Sequence, residues 1–201
     1  MRSVSPSNPL FQPGDFDPAG VSSAMWGRAR DWLGGGRFWS AMIVLLLTIA
    51  VSKSTATVQW VPGIDVVVPI AILAAMLMSV LALLPIAEPI GLGAGGVVGL
   101  VAAFVGAWPK IHASHPSDVL GPQLVNVWWS RIQDGSASQD PSFYLLLICV
   151  LMWVTGGWLA WCVLRWRKPM LGLVPGAAAF ATNVLNFPND QNGYVLAILV
   201  L

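Results

Sequence analysis

From Phe38 onward the chain alternates long apolar runs with short polar breaks. The runs lie at about Phe38–Thr57, Val66–Leu84, Ile90–Trp108, Phe143–Leu164 and Met170–Phe187, with a last one at Tyr194–Leu201. Phe143–Leu164 holds 22 residues without a charge. At 1.5 Å per residue such a run crosses a hydrocarbon core of roughly 30 Å. The breaks carry turn chemistry: Pro62 and Pro69 flank the entry to the second run, and Pro85-Ile-Ala-Glu-Pro89 makes a tight hairpin. Pro188-Asn-Asp-Gln-Asn-Gly193 precedes the last run. The pattern predicts an all-α integral membrane bundle of five full spans, with a partial sixth that the end of the sequence cuts short.

Before the first span the pattern changes. Residues Met1–Gly20 are rich in Pro, Ser, Asn and Gly and read as a polar cytoplasmic tail, ordered only if a partner holds it. Val21–Leu33 places Val21, Met25, Ala29, Trp32 and Leu33 on one side at helical spacing. With Arg28, Arg30 and Asp31 elsewhere, it reads as an amphipathic helix lying on the membrane surface or, alternatively, as a short helix packed on a neighbouring protein. Gly34, Gly35 and Gly36 then allow a sharp turn into the bilayer. Three regions follow: tail 1–20, interfacial helix and glycine turn 21–36, and a transmembrane domain 37–201 with an extracytoplasmic loop at 109–142.

Composition agrees. Of 201 residues 56% are hydrophobic and 9% charged, against roughly 25% charged in soluble domains. A net charge of +1 offers no concentrated basic surface for nucleic acid. The partners implied are membrane lipids and other integral membrane subunits.

Charge placement sets the expected orientation. With the N-terminus in the cytoplasm, Arg2, Arg28, Arg30, Arg37, Arg165, Arg167 and Lys168 lie inside, and Lys53, Lys110 and Arg131 outside. This follows the positive-inside rule, with Arg165, Arg167 and Lys168 fixing the topology of the hairpin they join. A bacterial cytoplasmic membrane suits the arrangement.

The span interiors hold no Asp, Glu, Lys, Arg or His. Proton relays and ion pathways use such groups, so a pump, channel or coupled transporter is disfavoured. No cofactor is expected. His112 and His115 in the long loop have a ligand-like spacing, but two ligands rarely make a metal site. Glu88 reads as a solvated interfacial charge, and Trp128 and Trp129 as an interfacial belt or a partner contact. Cys149 and Cys162 sit in one span about 20 Å apart and cannot pair.

Small residues recur instead at packing spacing. Gly91, Gly95, Gly99, Ala103 and Ala107 form a ridge on the third span; Gly156 and Ala160 form a shorter one on the fourth. Gly172, Gly176, Ala179 and Asn183 form another on the fifth. Such ridges let a second helix approach closely. That helix belongs either to the same bundle or to another subunit. Asn183 is the most polar group within a span and suits a hydrogen bond between helices.

The stretch WVTGGWLAWCVLRWRKPMLGLVPGAAAFATNVLNFPNDQNGYVLA, Trp153 to Ala197, resembles the N-terminal membrane region of bacterial transglutaminase-like membrane proteins. WVPGIDVVVPIAILAAML and HPSDVLGPQLV look like the same region. The resemblance implies several spans preceding an extracytoplasmic catalytic domain with a Cys-His-Asp triad. That domain is absent from this sequence. Cys149 and Cys162 do not stand in for its nucleophile, because apolar surroundings suppress the thiolate.

The expected function is therefore a non-catalytic membrane scaffold or accessory subunit, packing against helices of a larger complex such as one of electron transport or photosynthesis. The alternative is the membrane anchor of a transglutaminase-like enzyme. A third expectation is a lipid or quinone groove lined by Trp153, Trp158 and Trp161.

Overall fold

The computed structural model describes residues 36–114, 122–135, 140–186 and 192–200. The tail 1–20, the interfacial helix Val21–Leu33 and His115 lie outside them. The chain divides into two units, Met1–Phe38 and Trp39–Leu201, and almost all described residues belong to the second.

Those residues are helical, with no strand among them. In order they form α1 (Gly36–Thr57), a short 3-10 turn (Ile64–Val66), α2 (Val67–Leu83), α3 (Glu88–Ser114), α4 (Pro122–Gln133), α5 (Pro141–Leu164), α6 (Pro169–Asn186) and α7 (Asn192–Val200). Four segments are long and apolar enough to cross a membrane: Gly36–Thr57, Ile64–Leu83, Glu88–Ala113 and Pro141–Leu164. The fifth expected span, α6, has 18 residues, about 27 Å of helix. Two prolines and two asparagines, Asn183 and Asn186, dilute its apolar character, and it is not among the four.

Two boundaries depart from the sequence pattern. α3 does not stop at Trp108 but runs through Pro109 to Ser114. Pro109 removes only one backbone donor, and beyond it Ile111 is fully buried, so packing outweighs the lost bond. The long loop contains α4, whose Leu124 and Trp128 turn inward. Pro122 opens this helix, where its missing N–H costs little.

α5 is the central helix and packs against α2, α3 and α6. Two apolar clusters surround it. Toward the α4 end, Ile64, Val67, Ile70, Ala103, Ala107, Ile111, Leu145, Cys149, Met152 and Trp153 pack together. Toward the other end, Val44, Ala75, Met78, Ala82, Leu159, Ala160 and Trp161 do so. Cys149 and Cys162 are both free and buried.

Candidate functional site

The small-residue faces are where the bundle is most closely built, and they turn inward. On α3, a methyl group at Gly91 would lie 2.6 Å from Cη2 of Trp161. One at Gly95 would strike the Met78 sulfur, and one at Gly99 the Trp153 indole. Ala103 and Ala107 are fully buried. Trp153 also donates its Nε1–H to the Gly95 carbonyl, at 3.1 Å. The ridge is thus a seat for two tryptophans of α5 and a methionine of α2.

The other faces behave alike. A methyl group at Gly156 would come within 2.9 Å of the Ala71 carbonyl oxygen and 3.0 Å of Thr48 Cγ2, so α1, α2 and α5 converge there. Ala160 is fully buried. Gly172 lies against Cys162 and Leu159, and Gly176 faces Thr155 and Val51 at ordinary contact distance. Asn183 donates through Nδ2 to Thr55 Oγ1 at 3.1 Å and Ser54 Oγ at 3.3 Å, which ties α6 to α1. Ten of the eleven packing residues named from the sequence are therefore buried against helices of the chain itself, and Ala179 is half-buried against the first cluster.

The outward side of α3 is different. Val97, Leu100 and Val105 are 64%, 62% and 63% exposed, and Ile90 and Val101 are exposed beside them. A methyl group added at Gly93 or Gly96 would meet no neighbouring atom within 4 Å. These two glycines leave notches in an otherwise bulky apolar surface.

The three topology residues have separate environments. Arg165 is a clamp: its guanidinium donates to the carbonyls of Leu84 at 2.8 Å, Ile86 at 2.7 Å and Ala82 at 3.4 Å. These carbonyls end α2 and line the turn to α3, where helix termination leaves acceptors unpaired. Arg165 also approaches Glu88 at 3.9 Å and lies over the Trp161 ring, 5.8 Å from its centroid. Glu88 is therefore half of a loose ion pair. Arg167 takes a left-handed φ of +55°, and the Lys168 N–H donates to the Cys162 carbonyl at 2.8 Å. This closes α5 as glycine-type caps do, with arginine in the strained position. Lys168 is exposed.

At the opposite end lies a residue that the apolar pattern does not single out. Asp140 is 3% exposed. Its Oδ1 accepts from the Ser142 N–H at 3.0 Å, the Ser142 hydroxyl at 2.6 Å and the Phe143 N–H at 3.4 Å, capping α5. Its Oδ2 accepts from Trp128 Nε1 at 3.1 Å and Arg131 at 2.8 Å, docking α4 onto that cap. The Asp-Pro pair before an apolar run was the available signal. Trp128 is thereby buried, whereas Trp129 is exposed.

The tryptophan groove does not form. Trp153 and Trp161 are buried in different clusters. Trp158 instead donates to the Leu171 carbonyl at 3.1 Å and meets Trp166 edge-on at 5.3 Å. His112 stacks on Trp108 with centroids 6.1 Å apart, and no group of three potential metal ligands occurs among the described residues. No protein-family model, curated protein or solved structure matches the chain, so the likeness to transglutaminase-like membrane regions rests on the quoted strings alone.

Proposed function

We propose that the chain is a non-catalytic membrane scaffold or accessory subunit that receives a partner's transmembrane helix on the outward face of α3. The observation that carries this reading is the pairing of exposed Val97, Leu100, Val101 and Val105 with the open notches at Gly93 and Gly96. Small residues beside apolar ones allow two helix backbones to approach within a membrane. The inward ridge is occupied by Trp153, Met78 and Trp161, so the partner surface moves to the other side of the same helix. A bacterial cytoplasmic membrane with the N-terminus inside fits the distribution of cations, and span interiors without ionisable groups suit a structural rather than a transporting subunit of a larger complex, such as one of electron transport or photosynthesis. Purification from mild detergent tests the proposal: a second membrane protein should co-elute, and Gly96→Leu should release it. A single species at the mass of the chain, unchanged by Gly96→Leu, contradicts it.

The second reading is the membrane anchor of a transglutaminase-like enzyme. The strings RWRKPMLGLVPG and NFPNDQNGY favour it. Reading the gene past codon 201 decides it: a downstream extracytoplasmic domain with Cys, His and Asp supports the anchor, and a stop codon removes it.

A further inference from the structure

A cavity of about 210 Å³ opens between α1, α5, α6 and α7, lined by Leu47, Val51, Leu159, Gly176, Phe180 and Ile198 among others. Its two threonines add little polarity, because Thr48 and Thr155 spend their hydroxyls on the Val44 and Leu151 carbonyls of their own helices. An apolar cavity of about 150 Å³ already accepts a benzene-sized guest, so this one has room for a stretch of hydrocarbon. Gly172 also lines it, and the Gly172 N–H bonds to the Lys168 carbonyl one turn away. That turn places the end of the cavity about 6 Å along the helix axis from Lys168. The ion pairs of the described residues are Arg131–Asp140 and Arg165–Glu88, so exposed Arg167 and Lys168 have no carboxylate partner among them.

We propose that this is a site for one anionic phospholipid, with an acyl chain in the cavity and the phosphate at Arg167 and Lys168. The cavity supplies room for the chain and the paired cations supply charge complementarity at the depth of a headgroup. The site is independent of the outward face of α3. A cation near an anionic lipid surface is worth roughly fivefold in affinity, so the pair should favour an anionic over a zwitterionic headgroup by about tenfold or more.

Native mass spectrometry of the full chain from micelles containing equal phosphatidylglycerol and phosphatidylcholine reads this directly. The wild type should retain one phosphatidylglycerol with that preference. Arg167→Gly with Lys168→Gln should erase the preference, and the fold should survive because glycine relieves the left-handed position. Ala177→Phe, which fills the cavity from its rim, should abolish the retained lipid while circular dichroism stays unchanged. Equal retention of the two lipids by the wild type, a preference that survives the double charge variant, or undiminished retention by Ala177→Phe would each overturn the proposal.

Discussion

Trp153 reaches from α5 to α3, lays its indole where Gly99 lacks a side chain, and donates its Nε1–H to the carbonyl of Gly95 at 3.1 Å. The contact combines a close approach with a hydrogen bond inside an apolar bundle. It explains why a helix with so many glycines is stable here: the backbone entropy glycine costs is offset by seating large aromatic surfaces.

Gly99→Ala should therefore destabilise the bundle by about 1–3 kcal/mol, the usual range for overpacking a filled site. Gly96→Ala, on the open side of the same helix, should be neutral or stabilise by up to about 1 kcal/mol through helix propensity. Thermal unfolding in detergent, followed by circular dichroism, separates the two.

The paired tryptophans give a cleaner comparison. Trp161 is fully buried and its Nε1 has no hydrogen-bond partner, whereas that of Trp153 has one. Trp→Phe removes similar volume at both positions. Trp153→Phe should cost more than Trp161→Phe by about 1 kcal/mol, the net worth of one hydrogen bond. Equal losses in the same unfolding assay would show that the Gly95 bond contributes nothing.

These contacts mark the limit of what the pattern alone conveys. Four of the expected spans were legible because uninterrupted apolar runs such as Phe143–Leu164 have few other stable forms in lipid. The four-residue spacing of Gly91, Gly95 and Gly99 was equally visible. Its covering side chains were not, because periodicity along one helix carries no information about which neighbour fills the groove. α4 was hidden for another reason: its inward residues Leu124 and Trp128 are few and interleaved with exposed Val125 and Trp129, so the stripe is faint. Pro109 looked like a helix end because the burial of Ile111 beyond it is a tertiary fact.

Arg165 should not tolerate lysine. Its planar fork spans the carbonyls of Leu84 and Ile86 together, and a lysine ammonium cannot reproduce that geometry. Arg165→Lys should lower stability by about 1–2 kcal/mol while leaving the membrane topology intact, since the charge is kept. Limited proteolysis of the α2–α3 turn and cysteine-accessibility mapping check the two halves of that statement.

At the other end, Asp140→Ala removes the α5 cap and leaves the Trp128 indole without its acceptor, at a cost of about 2–3 kcal/mol. Asp140→Asn keeps an acceptor at the cap and should cost less. The Arg131 contact adds little to either figure, because its side chain is 40% exposed. Tryptophan fluorescence should shift to the red in the alanine variant as Trp128 meets water.

On one side α3 faces its own bundle; on the other, under the scaffold proposal, it would receive a partner helix. A photo-crosslinking amino acid placed at Leu100, and separately at Leu73 on the exposed side of α2, tests it in native membranes. Leu100 should give a discrete adduct with one other membrane protein and Leu73 lipid adducts alone; lipid adducts alone from both positions would rule out a partner helix on α3.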